Sequence, residues 1–202
     1  MKQLLAGYKD LFTLLSSYWG IYGGFRAVLL SPFFHLSLLI TCFMGPLWLK
    51  ARWIDLATDV IPNMLGFALG GYAILVVFGD ERFIQIISGS PSSKKASPFM
   101  GINAAFLHFI LIQLLALMAA LVISNNPVSL IPVEWKICVY KQLPELKSAL
   151  PYIKNSVHFI GSLLYVYAIT LGLAAALAIF RVSRWFDTYQ QKKKQASSSQ
   201  NQ

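Results

Sequence analysis

Charged residues are scarce in this chain. They make up 12% of its 202 residues, about half of what a soluble domain carries. Hydrophobic residues make up 56% and the mean hydropathy is +0.59. That balance excludes a disordered chain and an ordinary soluble enzyme. Cysteine is nearly absent too. Cys42 and Cys138 are the two present, with no C-x-x-C pair. A disulfide scaffold and a membrane thiol–disulfide enzyme are excluded with it, because both need cysteine pairs. The sequence also lacks a Ser-His-Asp order, zinc-ligand spacing, a phosphate-binding loop and a dinucleotide fingerprint. Its eight acidic residues lie at the edges of apolar runs, so paired-carboxylate hydrolysis has little material. The expectation is a protein without enzymatic activity and without a cofactor. There is no secretory leader or lipidation box at the amino end, so the first apolar span is expected to remain in the chain.

What is present is apolar sequence in long runs. A membrane-crossing helix needs about 20 apolar residues to cover roughly 30 Å of hydrocarbon. Four windows meet that length, at about 27–49, 60–79, 102–124 and 156–180. The expected fold is therefore an all-α membrane protein. It has a bundle of about four transmembrane helices over 27–180, an N-terminal interfacial helix over 1–26 and a small extracytoplasmic loop. The stretch 181–202 reads as a basic cytoplasmic tail, partly disordered through its polar, low-complexity end.

Orientation follows from lysine and arginine. Segments 1–26, 80–95 and 181–202 hold eleven of the seventeen basic residues. The positive-inside rule then places both termini in the cytoplasm of a multi-pass inner-membrane protein. The same bias accounts for the net charge of +9, so direct nucleic-acid binding is not expected. In 1–26, Leu4, Leu5, Tyr8, Leu11, Phe12, Leu15 and Trp19 recur at helical spacing opposite Lys2, Lys9 and Asp10. That pattern suits a helix lying in the interface. Between spans three and four, Val133, Trp135, Ile137 and Val139 alternate with polar residues. This period of two predicts a strand.

Some residues stand out for their chemistry. His35 and His108 fall at similar depth in two spans, and intramembrane ionisable groups raise a functional question by default. Two such imidazoles are haem-ligand candidates, against the simpler reading of neutral rings bonded to neighbouring helices. His158 lies near the other face of the membrane. Asp55 and Asp59 share a helix face outside the second span, where carboxylates suit a helix start. Gly66 and Gly70 form a G-x-x-x-G pair that lets another helix approach closely, with Asn63 placed to bond across to it. Gly172 and Ala176 repeat the small face in the fourth span. Asp80, Glu81 and Arg82 offer a cytoplasmic contact for a partner.

A compact chain with an interfacial first helix and the stretch Pro62-Asn63-Met64-Leu65-Gly66-Phe67-Ala68-Leu69-Gly70-Gly71 resembles the small multi-pass membrane effectors of bacterial anti-phage defence systems, for example retron transmembrane effectors. The resemblance is one of architecture and carries over no functional residue. It implies antiviral defence by abortive infection. It also implies a regulatory protein or ribonucleoprotein partner that restrains the effector, whose release permeabilises the bilayer; a small channel subunit is the companion reading, and the small-residue faces allow a homo-oligomer. The other reading is a non-catalytic accessory subunit of a larger transport or respiratory complex, a b-haem subunit included.

Overall fold

The structure is a computed structural model that describes residues 2–77, 81–89, 96–126, 129 and 132–200. Among them the regular structure is helical, with no strand. The helices are α1 (Lys2–Tyr22), α2 (Gly24–Leu29), α3 (Pro32–Phe43), α4 (Gly45–Leu49), α5 (Trp53–Val77), α6 (Glu81–Ser88), α7 (Pro98–Ser124), α8 (Val133–Gln142) and α9 (Pro144–Gln200). The all-α expectation holds.

Two of these helices, α7 and α9, are long and apolar enough to cross a membrane. The window 27–49 is built differently from a single span. It is divided among α2, α3 and α4, with Pro32 opening α3 and Pro46 inside the first turn of α4. Proline suits a first helical turn and disfavours helix in the residue before it. The 12 residues of α3 rise about 18 Å, short of the hydrocarbon thickness. α5 has 25 residues with Pro62 inside. Proline lacks the N–H that would bond the Thr58 carbonyl, so the helical ladder is interrupted there.

One further expectation is corrected. Residues 133–142 form α8 and not a strand. Glu134 in its first turn and Lys141 in its last complement the helix dipole. A lone strand would leave its backbone unpaired, whereas a helix satisfies its own. Within the tail, α9 continues to Gln200. Its Ser197, Ser198 and Ser199 hydroxyls bond carbonyls one turn back.

The chain forms two compact units. One comprises Pro32–Phe67 and Ile110–Leu171. Its core joins Leu47, Trp53, Ala57, Ile61, Ala116, Ala120, Tyr165, Val166 and Ala168. Trp53, Ala57 and Ile61 recur every fourth residue, one inward stripe of α5. Alanines on α5, α7 and α9 bring the backbones close, and Trp53 and Tyr165 fill the space left. Trp53 is fully buried and lies against Gly161, where an added Cβ would meet its ring atom Cη2 at 2.5 Å. Thr170 Oγ1 donates to the Phe33 carbonyl at 3.2 Å, tying α9 to α3.

The other unit comprises Met1–Ser31, Ala68–Phe109 and Gly172–Gln202. Aromatic rings hold it together. Phe83 of α6 is buried, with its ring centroid 5.3 Å from Phe186 and 5.8 Å from Tyr189 of α9. Tyr72 of α5 packs on Phe106 of α7 at 5.6 Å. The carboxyl end of α1 rests on His108. Tyr22 stacks on the imidazole at 3.9 Å, and Tyr18 Oη shares a 2.6 Å hydrogen bond with His108 Nδ1. Residues 5–17 of α1 are exposed, Leu5, Tyr8, Leu11 and Phe12 included. Gly23, at φ 103, ends this helix in a conformation that favours glycine.

Candidate functional site

Within the Trp53 unit a cleft of about 810 Å³ lies beside the carboxyl end of α7. Its apolar wall includes Ile54, Ile123, Leu150 and Val157, and its polar lining includes Asn126, Lys154 and His158. The volume is in the range of small-molecule sites. Three local features give the cleft its form. Pro151, inside α9, leaves the Lys147 carbonyl without its helical donor. Ala51, just before α5, has φ 56 and Asn126, just after α7, has φ 44. Among the described residues these are the non-glycine positions with positive φ, and both line the cleft. A left-handed alanine costs about 1–2 kcal/mol, and such strain persists only where surrounding structure imposes it.

His158 is buried, and its Nδ1 accepts the indole N–H of Trp53 at 3.3 Å. A neutral imidazole that accepts at Nδ1 carries its proton on Nε2. Lys154 lies one helical turn before His158, so both share a face of α9. No described carboxylate forms an ion pair with Lys154. The Ser124 hydroxyl is used locally, donating to the Leu121 carbonyl at 2.9 Å. The polar part of the cleft therefore offers the Lys154 ammonium, the His158 Nε2–H and the Asn126 amide. That set is rich in donors, with one formal positive charge.

The residues singled out in the sequence lie as follows. His35 is exposed on α3, and His108 is buried on α7 against Tyr18 and Tyr22. They belong to different units. The Asn63 amide donates to the Asp59 carbonyl of its own helix at 3.0 Å. Gly66 and Gly70 are exposed, with no atom within 4 Å of where a Cβ would stand. Gly172 is half-buried and Ala176 exposed. Asp80 lies outside the described residues. Glu81 and Arg82 are exposed in the first turn of α6. Asp55 lines a second hollow with Arg52, Met44 and Leu56.

Sequence reasoning missed Gly161, a glycine packed directly against Trp53, and Gln113, which is fully buried with both amide atoms unbonded. Gln113 had a signal, as the polar residue that joins His108 in the apolar run 104–123. Lys154 and His158 also had one, because they sit one turn apart at a span boundary. The cleft they line depends on turns that spacing does not disclose. No protein-family model, curated protein or solved structure matches the chain.

Proposed function

We propose that the chain is a multi-pass inner-membrane protein that permeabilises the bilayer by self-assembly, under the control of a partner. The observation that carries this reading is the outer face of α5. Asn63, Gly66, Phe67 and Gly70 lie at helical spacing on one side, all exposed, with Phe67 at 89%. A glycine face with open space admits a second helix at close range, and close packing drives helix association in lipid. The apolar windows of α7 and α9 support the membrane setting, because only 33% of each is buried. A soluble core helix would be covered by protein, and these leave most of their apolar surface for lipid. On this reading the 27–49, 60–79, 102–124 and 156–180 runs are four crossings, an even number that puts both termini on one side, and the lysine and arginine bias makes that side the cytoplasm.

The test is induced expression in bacteria with membrane potential and propidium uptake as readouts. The wild-type chain is expected to depolarise the cells. A Gly66→Leu/Gly70→Leu double variant, present in the membrane at equal amount, is expected not to. Depolarisation undiminished in the double variant would remove the α5 face from the mechanism. A wild-type chain that leaves the potential intact would point instead to an accessory subunit, and co-purified membrane proteins would identify its complex.

A further inference from the structure

We propose that the cleft beside the end of α7 holds an anionic phospholipid, with its phosphate on Lys154, His158 and Asn126 and an acyl chain along Ile54, Ile123 and Val157. The proposal is independent of self-assembly, since all six residues belong to one unit of one chain.

Three observations converge on that ligand. First, the polar groups select an anion. Lys154, His158 and Asn126 line the same cleft, with no described carboxylate paired to the lysine. The His158 proton is held on Nε2 by the Trp53 N–H at Nδ1, so this ring meets a phosphate oxygen as a donor. Second, the rest of the wall is aliphatic. A free inorganic anion gains nothing from Ile54, Ile123 and Val157, whereas an acyl chain covers them. Third, on the membrane reading proposed above, on which this part of the argument rests, Lys154 stands at the end of the fourth apolar run, where a lysine reaches the headgroup layer while its stem stays on apolar surface. A zwitterionic lipid would bring its own cation close to Lys154, and an anionic headgroup would not. The left-handed backbones at Ala51 and Asn126 maintain the two turns that frame the cleft.

The experiment is native mass spectrometry of the full chain in detergent, titrated with phosphatidylglycerol or phosphatidylcholine of matched acyl length. Wild type is expected to retain phosphatidylglycerol about fivefold more strongly, the effect of one lysine at a membrane surface. Lys154→Gln should erase that preference, and Lys147→Gln, a lysine outside the cleft, should keep it. Val157→Trp, which fills the apolar part, should lower retention of both lipids. Circular dichroism of each variant verifies that the helices are intact. Equal retention of the two lipids by wild type, or a preference that survives Lys154→Gln, would overturn the proposal. Displacement of phosphatidylglycerol by inorganic phosphate at equal concentration would also overturn it, in favour of a soluble anion.

Discussion

At the scale of single residues, the chain separates glycines that look alike in sequence. Gly66 and Gly70 carry the recognisable spacing, yet they face open space. Gly161 carries no motif, yet the Trp53 ring occupies the volume its side chain would need. Gly161→Ala is expected to lower stability by about 1–3 kcal/mol, the usual cost of overpacking a filled core. Thermal unfolding in detergent measures it, and the added change Trp53→Leu should recover part of the loss. An unchanged midpoint for Gly161→Ala would show that the indole yields freely. The difference between these glycines was not legible because a glycine's packing role is set by its neighbour across the helix pair. In the single chain the Asn63 amide bonds within its own helix, since an asparagine amide reaches a carbonyl four residues back without waiting for a partner.

At the scale of elements, apolar length was legible and interruption less so. The runs that became α7 and α9 stood out by length and lack of charge. The window 27–49 had the same composition, and its prolines divided it. The alternating stretch 133–140 became helical because period two describes a strand only where another strand can pair with it. The α1 element was expected from its helical spacing, but its anchor was not, because Tyr18, Tyr22 and His108 meet only in the folded unit. That anchor has a pH signature. Burial, with the neighbouring Tyr22 second, pushes the Tyr18 hydroxyl up to about 12. Its contribution is complete below about 10, the ordinary tyrosine value. It is lost as pH rises toward 12, where the unfolded chain has already released the proton. Limited proteolysis of α1 should therefore accelerate across that interval. Tyr18→Phe should be cut faster at neutral pH and lose this component of the pH dependence. Equal cleavage of the two proteins at all pH values would show that the hydroxyl does not hold the helix.

At the scale of the whole molecule, charge distribution makes the clearest commitment. Eleven of the seventeen basic residues lie in 1–26, 80–95 and 181–202, and the proposed topology takes those segments as cytoplasmic for that reason. The two free cysteines allow a direct check. Both are exposed in the isolated chain, but Cys138 lies on α8, between the third and fourth apolar runs, and Cys42 lies on α3 within the first. A membrane-impermeant maleimide applied to spheroplasts is expected to label Cys138. It should spare Cys42 in lipid and a cysteine introduced by Ser198→Cys in the tail. Labelling of the tail position in intact spheroplasts would invert the topology. The helical class was thus readable from composition and run length. The cleft was not, because its frame is two left-handed residues and a proline whose effect appears only once α7 and α9 are packed.

The seating of Trp53 on Gly161 also has a genetic consequence. Neither position can change alone without a clash or a void, so the substitutions open to one depend on what occupies the other. In a saturation library, position 161 should reject nearly every replacement while Trp53 is present. It should regain small ones once position 53 is reduced. The pair would then behave as one heritable unit spread over two distant codons, and divergent descendants of this chain should register it as covariation.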